Sequence, residues 1–175
     1  MTLEYRQLEA LEIRAEGDGR TISGRLVPYD KEQRINSSLV EVFRMGAFHK
    51  VVRAAHRVKV LVNHDIRQPV GRAIRLWEER DGLYGDLRIS KTRSGDEQLE
   101  LINDGVISEL SIGFQPIQNV TRRDGVIERK LAHLAEVSLV TFGAYGDSAA
   151  ITGVRDQTGT PNLDSLADIL GKIKK

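Results

Sequence analysis

The sequence contains no cysteine, which removes disulfide frameworks, thiol catalysis and cysteine-based zinc sites together and leaves the redox compartment undetermined. Aromatic residues make up only 5% of the chain, and they form no platform on which nucleic-acid bases could stack. Neither charge dominates: 26 Lys and Arg stand against 25 Asp and Glu, so no net field draws the protein to nucleic acid or to an anionic membrane. Long apolar runs are missing too. None approaches the roughly 18 residues of a membrane-crossing helix, and residues 1–14 are broken by Glu4, Arg6, Glu9 and Glu12, so the chain reads as cytosolic. A phosphate-cradling glycine loop and a metal-carboxylate cluster are also lacking.

What remains is 175 residues at 40% hydrophobic composition, enough to bury a core without staples and the size of one ordinary domain plus a tail. Residues 3–15 alternate loosely and Gly17-Asp18-Gly19 supplies turn chemistry, which predicts a first hairpin with residues 21–29 as its second arm. In that arm Ile22, Gly24 and Leu26 alternate with Thr21, Ser23 and Arg25, the period of a half-buried strand. Residues 30–38 read as a loop, 40–43 as a short strand, and 49–56 as one short helix on the spacing of Phe48, Val51, Val52 and Ala55.

Residues 57–63 read as a strand that Gln68-Pro69 ends, and 70–77 with 83–89 as a hairpin. A helix is expected over 94–103, with Ser94 capping and Glu97 completing a capping box. Strands over 109–118 and 127–141 should be antiparallel neighbours joined at Arg122-Arg123-Asp124-Gly125. Residues 1–153 thus form the domain, and 154–175 a linker followed by an amphipathic helix in which Leu163, Leu166, Ile169, Leu170 and Ile173 share a side.

Three polar residues break apolar strands. His64 closes Leu61-Val62-Asn63-His64-Asp65, where an imidazole is the natural base near neutral pH; read plainly, it is a capped strand-end histidine, and alternation does not settle its direction. Ser111 lies between Leu110 and Ile112, before a small Gly113 that would let a substrate chain come close. A serine becomes a nucleophile only when a base takes its proton, and an isolated strand serine is more often structural; Ser108 is its rival. Glu136 sits inside Leu134-Ala135-Glu136-Val137-Ser138-Leu139-Val140. A carboxylate there either faces solvent or needs an imidazole or Arg partner. His133 is a rival for the third place, although strict alternation sends it and Glu136 to opposite faces. His49 and His56 are seven residues apart, too far for an i, i+4 metal pair.

The order of these motifs resembles the tailed-phage prohead protease family: Gly46-Ala47-Phe48, Val62-Asn63-His64, Pro69-Val70-Gly71-Arg72, Gly82-Leu83-Tyr84-Gly85, Asp104-Gly105, Leu110-Ser111-Ile112-Gly113-Phe114, and the strand through Glu136 to Thr141. The resemblance covers roughly residues 20–150. It departs after Phe142, where Gly143-Ala144-Tyr145 replaces a Pro-Ala-Asn-like turn. It implies an α+β fold with a mainly antiparallel, β-barrel-like core flanked by a few helices, related to the herpesvirus assemblin protease. It implies a serine endopeptidase of capsid maturation, with Ser111 as nucleophile, His64 as base and Glu136 as third member, and no cofactor or metal. The implied partners are the major capsid protein precursor or a scaffold segment, the portal and further copies of the enzyme, within a procapsid assembling in the bacterial cytoplasm, with neither nucleic acid nor membrane. The extension after Asp156 is expected to cleave itself off or to dock the enzyme in the shell. Two other classes stay open: a catalytically silent assembly or scaffolding factor that uses the same fold as a binding platform, and an unrelated β-barrel binding module with a C-terminal interaction helix.

Overall fold

A strand of alternating character can bury one face only if neighbours of matching register cover its edges, and in this chain the last described strand is paired with three others. The computed structural model describes residues 4–8, by backbone alone, and residues 18–141. Among the described residues, nine strands form one mixed sheet: β1 (Glu4–Leu8), β2 (Thr21–Pro28), β3 (Gln33–Arg34), β4 (Val40–Phe43), β5 (Lys59–Val62), β6 (Asp65–Glu79), β7 (Gly82–Ile89), β8 (Glu109–Thr121) and β9 (Ile127–Val140). The path runs β1-β8-β9-β5-β6-β7-β2, with β3 and β4 attached beside β9. It curls so that β2 comes back against β1 and β8. The helices are α1 (His49–Val52), followed by a 3-10 turn over Ala55–Arg57, and α2 (Arg93–Asn103). The expected C-terminal helix, and the departure at Gly143-Ala144-Tyr145, lie outside the described residues.

The sheet is mainly antiparallel, as expected, and its parallel pairings both involve β9. β9 pairs antiparallel with β8, but parallel with β5 over Lys59–Val62 and parallel with β4 over Glu41–Phe43. Of the expected first hairpin, the described part of the first arm, β1, pairs with β8, and the second arm, β2, pairs with β7; residues 9–17 lie outside the described residues. Asp18 and Gly19 form a turn before β2, and the match between β2 and β7 buries Ile22 and Leu26 with Leu83 and Leu87. Pro69 does not end a strand. It sits within β6 opposite Leu61, where the register with β5 shifts, and an irregular ladder has no need of the N–H that proline lacks. Gly71 of the same strand lies so close to β7 that a Cβ there would be 2.1 Å from the Arg88 carbonyl oxygen. The loop over 30–38 holds the two-residue β3 against β4.

The expected helix over 49–56 splits into α1 and the 3-10 turn, because eight residues with two adjacent valines and no side-chain cap are too few to sustain a helix on propensity. What holds α1 is tertiary: Phe48 and Val51 are buried, and the Phe43 ring centroid lies 5.4 Å from Phe48 and 5.1 Å from Phe114. The cap of α2 is Thr92, whose Oγ1 accepts from Gly95 N at 3.1 Å. Ser94 and Glu97 therefore do not form the capping box; Glu97 pairs instead with Arg93, one turn earlier.

One buried ion pair ties β4 to β9. Arg129 donates from Nε and Nη2 to Glu41 Oε2, each at 2.7 Å, with the Glu41 side chain 0% and the Arg129 side chain 4% exposed. Arg129 also lies over the Phe114 ring, 5.7 Å from its centroid. Removing one partner of such a pair costs about 3–5 kcal/mol because the other charge stays buried, whereas replacing both by apolar groups costs far less. Glu41→Ala should lower the stability measured by urea denaturation by about that amount. Glu41→Leu combined with Arg129→Met should recover most of the loss.

Candidate active site

Two strand registers and one tight turn bring the polar residues of this fold together. Across β8 and β9, Leu110 faces Leu139, Ser111 faces Ser138, Ile112 faces Val137 and Gly113 faces Glu136. Across β9 and β5, Ser138 faces Leu61 and Leu139 faces Val62. Leu110, Ile112, Val137, Leu139, Val60 and Val62 belong to the hydrophobic core. Alternation therefore turns Ser111, Gly113, Glu136, Ser138 and Leu61 to the opposite side of the sheet. Directly opposed residues have Cβ atoms about 4.5–5.5 Å apart, so Ser111 and Ser138 are cross-strand neighbours.

Glu136 reaches this side because β9 is irregular there. Leu134 is a core residue opposite Phe114, and Val137 is a core residue opposite Ile112, an odd spacing that strict alternation forbids. The register shifts between Gly113 and Phe114, so Ala135 is the extra residue of a β-bulge, a device that re-aims the side chain next to it. The same bulge puts His133 on the side of Glu136, against strict alternation. His133 is nonetheless exposed and faces Gln115, further along the ladder. Ser108 precedes β8, outside any strand.

His64 is delivered by the connection from β5 to β6. Val62 pairs with Asp65, which leaves Asn63-His64 as a two-residue loop with φ of 49° and 59°. Positive φ at both central residues is what a hairpin of natural twist requires. Asn enters this region readily and His more easily than most residues, at a cost of order 1–3 kcal/mol. The turn is secured on both sides. Asn63 N donates to Leu139 O at 3.0 Å and His64 N to Ser138 Oγ at 3.1 Å. Asp65 accepts from Arg67 N, Nε and Nη2, each at 2.9 Å, and these bonds, the Arg67 side chain first, hold its carboxyl well below the ordinary range.

The His64 ring then meets Glu136, with Nδ1 2.7 Å from Oε1. The second carboxylate oxygen, Oε2, accepts from Ser138 Oγ at 2.6 Å. An ionised carboxylate can only accept, so the ring proton belongs on Nδ1 and the lone pair on Nε2. Glu136 and its neighbours are sequestered: its side chain is 6% exposed, Ser111 and Ser138 are 0% exposed, and the His64 side chain keeps 22%. Gly113 has a role different from the one expected. A Cβ at that position would lie 2.3 Å from Glu136 Oε1, so the space above it is taken by the carboxylate rather than kept for an approaching peptide.

The arrangement thus joins His64 and Glu136 by a direct hydrogen bond and sets Ser111 on the same side, one cross-strand step from Ser138, which bonds to both. An imidazole backed by a buried carboxylate suits taking up a proton and handing it on, and Ser111 lies on the same face of the sheet. Ser138 carried no expectation from sequence alone, although a serine two residues after Glu136 necessarily shares its face of an undisturbed strand. Among the described residues, no three His, Asp or Glu are grouped to hold a metal ion, and no helix is long and apolar enough to cross a membrane.

Comparison with known proteins bears on the fold and the family. Among solved structures, the capsid assembly protease gp21 of bacteriophage T4 superimposes with a TM-score of 0.56 at 14% sequence identity, covering 81% of this chain and 98% of that one. At that identity the likeness establishes the curled sheet and its few helices. Comparison with curated protein sequences gives no match. The family model described as caudovirus prohead serine protease matches residues 9–161. With most of its length inside that match, the chain belongs to the caudovirus prohead serine protease family.

Proposed function

We propose that the protein is a serine endopeptidase that cleaves capsid and scaffold proteins during prohead maturation, with Ser111 as nucleophile, His64 as general base and Glu136 as the group that orients it. Membership in a prohead serine protease family and the likeness to a capsid assembly protease support a protease of capsid maturation. The observation that carries the residue assignment is the His64 Nδ1 to Glu136 Oε1 bond of 2.7 Å on the sheet face that also bears Ser111. In this reading Nε2 takes the Ser111 proton as Oγ adds to the peptide carbonyl, and Glu136 stabilises the imidazolium that results. Collapse of the tetrahedral adduct breaks the C–N bond, and Nε2 returns the proton to the departing amine. Water then attacks the acyl-enzyme, losing its proton to the same nitrogen, and Ser111 is regenerated. The partners are the major capsid protein precursor or a scaffold segment, the portal and other copies of the enzyme.

The complete burial of Ser111 favours a second reading, the catalytically silent assembly factor. In the first reading this burial marks a closed state that must open before substrate enters. The two readings part in one experiment, in which the protein, as monomer and as oligomer, is incubated with capsid-precursor substrate and with a fluorophosphonate probe. Cleavage and labelling that vanish in Ser111→Ala support the peptidase; neither event in wild type under assembly-like conditions leaves the silent platform.

Glu136→Gln keeps the shape of the side chain but removes its charge and offers the ring a donor where it needs an acceptor, so kcat should fall about 10³- to 10⁴-fold, as when a triad carboxylate is amidated. Gly113→Ala should displace that carboxylate, given the 2.3 Å approach. Its cleavage rate should fall at least about tenfold, while thermal unfolding checks that the sheet survives.

A further inference from the structure

Ser138 stands at a crossing of three strands, opposite Ser111 on β8 and opposite Leu61 on β5. Its side chain is fully buried, and its hydroxyl is engaged in both capacities. It donates its one proton to Glu136 Oε2 at 2.6 Å and accepts from the His64 backbone N–H at 3.1 Å. With the bond from His64 Nδ1 to Glu136 Oε1 at 2.7 Å, these contacts close a ring through three residues: imidazole to carboxylate, carboxylate to hydroxyl, hydroxyl to the main chain that carries the imidazole.

That ring fixes more than its separate bonds would. A carboxylate held at one oxygen can rotate about its last bond; held at both, by a donor from the turn after β5 and one from β9, it cannot. The His64 backbone has the positive φ of 59° that a side chain disfavours, and the hydroxyl anchors this residue's own amide. Ser138 therefore constrains the acceptor of the imidazole and the backbone from which the imidazole springs. Its oxygen is not placed as a nucleophile, because its proton goes to a carboxylate and its lone pair to an amide.

We infer that Ser138 is a positioning residue of the active site, orienting the His64 imidazole through Glu136 and through the His64 main chain. This role rests on the assignment of His64, Ser111 and Glu136 proposed above. It predicts that the hydroxyl affects turnover rather than substrate affinity, because it acts on the geometry of the base and not on the peptide.

The test uses the full chain with Ser138→Ala and with Ser138→Cys, which nearly preserves volume but offers only a weak donor. Both variants should lower kcat about tenfold to a hundredfold, the range found when an outer partner of an active-site ligand is removed, with KM changed less than about threefold. A second measurement needs no turnover. In the Ser111→Ala background, the proton NMR spectrum should show the hydrogen-bonded His64 Nδ1 proton far downfield. Adding either Ser138 substitution should broaden that resonance or shift it upfield. If both variants keep kcat within twofold and leave the resonance unchanged, the inference is overturned. If only Ser138→Ala is affected, the loss reflects a cavity and the inference fails equally. Should Ser138→Ala not fold, Ser138→Cys decides by the same two readouts. Failure of the parent reading is distinct: either Ser111→Ala would cleave as the wild type does, or the wild type would neither cleave nor take the fluorophosphonate probe, while the Nδ1 resonance would continue to report whether Ser138 holds the imidazole.

Discussion

A carboxylate almost out of contact with water must have donors at its oxygens, and the arrangement of this site follows from meeting that demand at Glu136. One oxygen takes the His64 ring and the other takes Ser138. Each donor requires something of the backbone behind it. The bulge at Ala135 turns Glu136 away from the core, Gly113 leaves the space its carboxylate fills, and the turn at Asn63-His64 carries the imidazole across the end of β5. Restoring regular alternation at Ala135 would point the carboxylate into hydrocarbon, where it would be protonated or expelled. The register shifts in β5 and between Gly113 and Phe114 thus lie beside His64 and Glu136.

β9 is the strand on which these requirements meet. It has β8 on one side and β5 and β4 on the other, one pairing antiparallel and two parallel. Glu136 and Ser138 belong to it, Ser111 to one neighbour, and His64 to the turn after another. The opposite side of the same strand contributes Val137 and Leu139 to the core. Its far end carries Arg129, which reaches Glu41 in a buried pair. One strand thus serves the core, the polar side and the attachment of β4, which leaves it little freedom to shift.

Much of this was legible in the sequence. Alternation in residues 21–28 and the apolar stretch of residues 134–140 identified strands because one or both of their faces are buried, and His64, Ser111 and Glu136 stood out as polar breaks in such stretches. The α+β, largely β architecture followed from the same signals together with the family resemblance. What escaped detection depends on partners distant in the chain. The bulge at Ala135 is invisible without β8, since an apolar-rich run reads alike with or without one extra residue. The turn chemistry before β2 is a local signal, whereas the match of β2 to β7 and of β1 to β8 is not. Pro69 ended a strand on paper but is accommodated where the ladder is already broken. Thr92 was overlooked as a cap because Ser94 followed by Glu97 satisfies the pattern, while the close packing of Gly95 against Ser90, with a Cβ only 2.3 Å from its carbonyl oxygen, sets the true start of α2. Glu41 and Arg129 carried no expectation, because their pairing joins residues 88 apart in the chain.

The parallel pairing of β5 with β9 has a consequence for the order of events on the pathway from nascent chain to finished protein. His64 and Glu136 are 72 residues apart, and a parallel pair cannot form by zipping outward from a hairpin; it must wait for the intervening strands and α2 to be laid down. Loop closure of that span is an entropic toll met only when most of the sheet exists to reward it. A ribosome-bound or half-folded chain accordingly holds the imidazole without its carboxylate. Topology by itself thus schedules the pairing of these two groups after synthesis of β9.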